Sequence, residues 1–186
     1  MRVIAGALKG LKLVSWKSSE RFSIRPMTDR VKETVFNVLQ AYFNKDVLFL
    51  DLFSGTGSLS MEALSRGAKE AHAVEMSKHS IKIIKENQKK LKNPRQLMVH
   101  KSDVFDFLKK SRLGPFHIII ADPPFPLECG EKILETLVSS HLYIVGTIFV
   151  LETSDKENLK DRYSCFYLFS KKDFNDKKIW FYEARK

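Results

Sequence analysis

The chain has 186 residues, 44% of them hydrophobic and 29% charged, which fits one domain with a sizeable core and excludes a disordered polymer. No apolar stretch approaches the ~18 residues of a membrane span, and the opening Met-Arg-Val-Ile-Ala-Gly lacks a signal peptide's apolar region, so a cytoplasmic protein with no membrane partner is expected. Lys and Arg outnumber Asp and Glu by 32 to 22, a net charge of +10, and residues 1–32 alone hold eight basic residues against two acidic ones, the footprint of a polyanionic partner.

In chain order, Arg2–Ala5 and Leu11–Val14 are strand-like and joined through Gly6 and Gly10, which predicts a small hairpin. Residues 15–27 are polar and irregular and end at Arg25-Pro26, where proline keeps its predecessor out of the helical region. Thr28 is a good N-cap with Asp29 in the first turn, and Val31, Val35, Val38, Leu39 and Tyr42 recur at helical spacing. From Val47 strand and helix alternate: strand 47–52, helix 58–66 stopped by Gly67, strand 70–75, helix 78–91, strand 96–100, helix 104–110, strand 116–121, helix 129–140 and strand 146–152. That order predicts right-handed βαβ units and a parallel sheet. After a polar stretch with a short helix at 155–162, the aromatic segments Ser164–Ser170 and Lys178–Ala184 flank Asp173–Asp176 as a hairpin, which must add an antiparallel strand. The lysines 78, 82, 85, 89 and 92 form one stripe of the 78–91 helix region, opposite Ile81, Ile84 and Leu91, and read as a solvated face.

Cys129 and Cys165 lie far apart with no Cys-x-x-Cys spacing, and the five histidines form no i, i+4 pair, so neither a disulfide framework nor a metal is expected. Chemistry concentrates instead at strand ends. Asp51-Leu-Phe-Ser-Gly55-Thr-Gly57 follows a buried strand and opens a helix, a place where glycines allow close ligand approach and free N–H groups suit a polar or anionic group. Ser60 stands where a dinucleotide fingerprint has its third glycine. Asp51 ends an apolar strand and needs a partner or an electropositive ligand. Glu75 ends the next strand, about 20 residues after Gly55, where an acid accepts from ribose hydroxyls, and Asp103 follows the third strand either as another such acid or as the N-cap of the helix at 104. Asp122-Pro-Pro-Phe125 is the sharpest signal. Two prolines stiffen the strand exit and remove two N–H donors, leaving carbonyls, a carboxylate and an aromatic face that together suit a planar group bearing an amine.

In this order and spacing the Asp51–Gly57 loop, Glu75, Asp103 and Asp122–Phe125 resemble the class I S-adenosylmethionine-dependent methyltransferases that modify exocyclic amines. Arg2-Val-Ile-Ala-Gly6, Gly10 and Arg25-Pro-Met-Thr-Asp-Arg-Val-Lys-Glu-Thr-Val-Phe36 narrow the likeness to the bacterial family that methylates N2 of a guanine in 16S ribosomal RNA, the RsmD-like family, over nearly the whole chain. The resemblance implies a Rossmann-like, doubly wound α/β fold: a mostly parallel seven-stranded sheet with one antiparallel strand and a small N-terminal hairpin and helix extension. It divides the chain into a basic extension, residues 1–27, and a cofactor-binding catalytic domain, residues 28–186.

The resemblance further implies that Asp51 and the glycine loop hold the methionine part of the cofactor, Glu75 the ribose and Asp103 the adenine amine. Phe53, Ser54, Gly55, Gly57, Met76, Val104 and Thr28 are counted among the cofactor-binding residues. Asp122, Pro123, Pro124 and Phe125 would hold the target base, while Arg2, Lys9, Lys12, Arg25 and Arg30 would grip RNA phosphates. Thr28 and Asp29 have an equally good reading as a helix start. The expected cofactor is S-adenosyl-L-methionine and the expected partner is 16S rRNA in the small ribosomal subunit, bound by a monomer. Rival readings are an amino-group methyltransferase acting on adenine N6 of DNA or on a glutamine amide, a non-catalytic RNA-binding assembly factor, and a dinucleotide oxidoreductase, which the missing third glycine disfavours.

Overall fold

The protein is described here from a computed structural model that covers residues 1–16, 27–124 and 127–186. Eight strands form one sheet: β1 (Leu48–Leu52), β2 (Glu70–Glu75), β3 (Leu97–Lys101), β4 (Phe116–Ala121), β5 (Tyr143–Ser154), β6 (Arg162–Tyr163), β7 (Phe166–Phe174) and β8 (Lys177–Ala184), in the order β3-β2-β1-β4-β5-β8-β7-β6. The strands β3, β2, β1, β4 and β5 run parallel, and β8 lies antiparallel between β5 and β7. The expected seven-stranded arrangement with one reversed strand is present, extended by the two-residue β6.

Among the described residues five α-helices cover the sheet: α1 (Asp29–Val38), α2 (Ser58–Ser65), α3 (Lys78–Gln88), α4 (Val104–Lys110) and α5 (Gly130–Val138). Alternation along each strand sends apolar side chains to both faces, as a doubly covered sheet requires. Phe49, Ile118, Ile120 and Ile148 meet residues of α1 and α2 on one face. Leu50, Leu52, Ile119 and Phe149 meet α4 and α5 on the other. Among the described residues no helix is long and apolar enough to cross a membrane.

Two expectations need correction. Residues 155–161 are not helical: they run irregularly into β6, with the Lys160 ammonium drawn to Glu131 at 2.5 Å and the Asp161 carbonyl accepting from the Leu168 N–H. Helix α3 stops at Gln88 rather than 91, because Lys90 and Leu91 bond back three residues and tighten the last turn. The lysine stripe of α3 is solvated and Ile81, Ile84 and Leu91 are buried.

The first residues pair as expected, though with a single bridge, Arg2 to Lys12, rather than two strands. Buried polar groups fasten this segment to the helices. The Glu62 carboxylate on α2 accepts from the Ile4 and Ala5 N–H groups at 2.7 and 3.1 Å, and the buried Lys32 ammonium donates to the Arg2 carbonyl at 2.7 Å while facing Glu62 at 3.5 Å. Asn87 on α3 brackets the Val14 N–H and carbonyl and also donates to the Thr56 carbonyl at 3.0 Å. The N-terminal segment is thus tied to the glycine loop.

Candidate active site

Strand order reverses between β1 and β4, and ligands of open α/β sheets bind beyond the carboxyl ends of the strands at such a switch point. Leu52 pairs with Ala121, so Asp51 and Asp122 reach neighbouring strand ends. Asp51 is fully buried. Its Oδ2 accepts from the Ser60 N–H at 3.1 Å and the Ser60 hydroxyl at 2.6 Å, while Oδ1 has no partner among the described residues. Burial pushes this carboxyl up to about 7, against the Ser60 hydrogen bonds and with help from the nearby Glu75 charge. Ser60, the departure from a dinucleotide fingerprint, is therefore the donor that makes a buried acid tolerable here.

The loop after β1 has unusual backbone angles. Phe53 takes φ 60°, rare for a bulky residue, and leans on the face covered by α4 and α5. Gly55 and Gly57 have φ 55° and 75°, and a side chain on Gly55 would begin 2.8 Å from the Trp16 indole. The Ser54 hydroxyl donates to the Asp51 carbonyl at 2.6 Å, which locks the turn into α2. Glu75 spans the same loop and the next: its Oε2 accepts from the Gly55 N–H at 2.9 Å and its Oε1 from the Ser77 N–H at 2.8 Å. The Ser102 N–H donates to the Glu75 carbonyl at 3.2 Å, which brings Asp103 to the same edge.

Asp103 caps α4, with Oδ1 accepting from Phe105 and Asp106 N–H groups at 2.9 and 3.1 Å. The residue is exposed, so capping leaves Oδ2 open to another donor. Met76 is 66% exposed beside Glu75, whereas Val104, the first residue of α4, is buried.

Asp122 is half-buried, and the Met27 N–H donates to its carboxylate, which places Thr28, the N-cap of α1, beside this acid. Burial raises the Asp122 carboxyl well above its ordinary value, the Glu152 and Asp51 charges raise it further, and Lys177 opposes them. Pro123 is buried and Pro124 half-buried. The Pro124 carbonyl accepts from the Leu127 N–H at 3.0 Å, while the Pro123 carbonyl takes no donor among the described residues. Phe125 and Arg25 lie outside the described residues.

Arg2, Lys9, Lys12 and Arg30 are exposed on the N-terminal segment and the start of α1, with Arg2 facing Asp29 at 3.8 Å. Sequence reasoning missed the roles of Met27, Trp16, Asn87 and Glu152. The first acts through its backbone, and the others act through contacts between segments distant in the chain.

A reversing parallel sheet, acids on consecutive strand ends and an inserted antiparallel strand define the class I methyltransferase fold. Residues 1–183 match the family described as Conserved hypothetical protein 95. Ribosomal RNA small subunit methyltransferase D of Haemophilus influenzae is 35% identical over 161 residues, 86% of this chain and 81% of that protein. The Escherichia coli (strain K12) protein of the same name is 33% identical over 158 residues, 85% of this chain and 76% of its own. A solved Escherichia coli chain superposes with a TM-score of 0.86 at 29% identity, covering 100% of this chain and 98% of that one. A solved Haemophilus influenzae chain superposes at 0.82 with 31% identity and the same coverage. The chain belongs to the Conserved hypothetical protein 95 family, which includes these ribosomal RNA small subunit methyltransferases.

The residues present fit S-adenosylmethionine. An unpartnered buried oxygen on Asp51 suits a cationic or N–H group, Gly55 and Gly57 keep the loop clear of side chains, and a carboxylate such as Glu75, with about four acceptor positions, has room for hydroxyl donors beside its two amides.

Proposed function

We propose that this protein is an S-adenosylmethionine-dependent methyltransferase that modifies the exocyclic N2 of a specific guanine in 16S rRNA of the small ribosomal subunit, acting as a cytoplasmic monomer. The observation that carries the reading is the juxtaposition at the switch point: a buried acid with a free oxygen on β1, beside a stiff Asp-Pro-Pro exit from β4 that offers acceptors. S-adenosylmethionine supplies a methyl group on a sulfonium centre. Asp51, Phe53, Ser54, Gly55, Gly57, Glu75, Met76, Asp103, Val104 and Thr28 bind and orient it.

The guanine N2 lone pair is delocalised into the ring, so it is a poor nucleophile. The Asp122 carboxylate and the Pro123 carbonyl accept its N–H groups, pull the nitrogen toward a tetrahedral form and aim the lone pair at the methyl group, a contribution of orientation and electrostatics. Asp122 need not remove the proton before transfer: the N2–methyl bond forms as the sulfonium–methyl bond breaks to leave a neutral thioether, and the extra proton on N2 then passes to water. A paired target base is first flipped out, and Phe125 replaces the lost stacking. Residues 1–27 act as the basic extension of the 28–186 catalytic domain, with Arg2, Lys9, Lys12, Arg25 and Arg30 on phosphates.

Transfer of labelled methyl groups to small subunits, naked 16S rRNA and duplex DNA, followed by mass-spectrometric mapping, tests the assignment. Label at one guanine N2 in 16S rRNA is expected. Label on duplex DNA with none on RNA would sink it.

A further inference from the structure

A buried ion pair lies one strand beyond Asp122. Glu152 on β5 is fully buried; its Oε1 is bonded to the Lys177 ammonium, and its Oε2 has no partner among the described residues. Lys177 opens β8. Ser154 pairs with Lys177 and Ile179 with Glu152, so the two side chains form a diagonal pair across antiparallel strands. On the other side Ala121 pairs with Leu151, which sets Asp122, just past the end of β4, next to Glu152 on β5. Among the described residues the charges that act on Asp122 are Glu152 from β5, Lys177 from β8 and Asp51 from β1, with the Met27 backbone N–H opposing its rise, and Asp176 of the β7–β8 turn also acts on Glu152. As a strut this pair is poor, because burying two ions costs several kcal/mol and an apolar pair of similar volume holds strands as well or better.

We propose that Glu152 and Lys177 are positioning residues for methyl transfer: Lys177, held beside the end of β4 by Glu152, favours the ionised, acceptor form of Asp122 toward the target amine, and Glu152 anchors Lys177 in the sheet. The proposal rests on the reading of Asp122 given above. Burial drives the Asp122 carboxyl upward first, Glu152 adds to that, and Lys177 is the cation opposing both. Glu152 is itself pushed up by burial and held down by Lys177. Removing either member therefore moves Asp122 in opposite directions. Without Glu152 the carboxylate ionises more readily, and without Lys177 less readily.

The test compares kcat/KM against pH for the full-length protein and for Glu152→Gln, Lys177→Met and Lys177→Arg on small subunits. The acid limb moves to lower pH in Glu152→Gln and to higher pH in Lys177→Met, and stays at the wild-type position in Lys177→Arg. The ratio of Glu152→Gln to Lys177→Met activity is at least ~10-fold higher at pH 6 than at pH 8.5, the effect of moving one group past one pH unit. A merely structural pair lowers activity in both variants by a ratio that does not change with pH, and that result overturns the proposal. If one variant loses the wild-type circular dichroism, the other is read against wild type at the same two pH values. Titration of the Asp122 carboxyl by 13C NMR reads the same opposite shifts without substrate. Opposite shifts with no methyl transfer would sink the proposed reaction alone, and transfer with no shifts would sink the pair.

Discussion

Asp51 and Asp122 end neighbouring strands, yet the chain surrounds them in different ways. After β1 it turns at once through Phe53–Gly57 into α2, so the acid is roofed by its own loop and tuned by one residue of that helix, Ser60. After β4 two prolines carry the chain away, leaving Asp122 half-open and tuned by charges on β5, β8 and β1. Under the proposed function, the acid assigned to the small cofactor is set mainly by local hydrogen bonding, and the one assigned to the bulky base stays accessible and is set by remote charge.

The contrast breaks most sharply in turnover. Asp122→Ala lowers methyl transfer at least ~100-fold, the scale of a lost transition-state hydrogen bond, while S-adenosylmethionine affinity by calorimetry stays near wild type. Near-normal turnover would reduce the loop to a strand exit. Asp51→Asn does the reverse, weakening cofactor binding by ~10-fold or more through loss of a charged acceptor.

The same variant has a signature in stability. The Asp51 carboxyl stands at about 7 when folded against an ordinary 3.8, so the folded state holds an extra proton between those values. The cost of ionising it in place is absent below pH ~4, grows through the interval and is complete above pH ~7. Asp51→Asn therefore gains thermal stability relative to wild type between pH 5 and pH 8 in cofactor-free melts, and a constant difference would show that Asp51 is not held neutral. The smallest effect belongs to Ser60→Gly, which restores the fingerprint glycine but removes the hydroxyl on Asp51. Cofactor affinity falls about 5-fold, the size of one hydrogen bond, and Asp122-dependent turnover at saturating cofactor is spared.

The elements were largely legible. Strands β2 and β4 and helix α4 lie where the alternation of patterns puts them, because each is apolar enough to be buried and bounded by strong turn or cap residues. Thr28 caps α1 and Asp103 caps α4, as their residue types allow. The 155–162 segment misled because its polar pattern suits a helix, while Lys160 and Asp161 are claimed by α5 and β7. At the site, the acids and glycines were visible because a carboxylate or glycine at the end of an apolar run is anomalous in one dimension. The Glu152–Lys177 pair was not. Glu152 sits inside a long strand and Lys177 in a charged turn, and only the antiparallel register brings them together. Met27 was invisible for a different reason, since a backbone N–H leaves no mark on sequence.

The insertion of β8 between β5 and β7 also carries a consequence for synthesis. The ribosome delivers residues 177–184 after the other described strands of this sheet, yet these residues form the link that joins β7 and β6 to β5. Until they arrive, β5 has an open edge and Glu152 lacks its ammonium partner. A nascent chain with β1 to β7 complete thus already carries the glycine loop and Asp122, but not the cation that compensates its buried acid. Docking of β8 thus settles both the open edge of β5 and the charge balance beside Asp122.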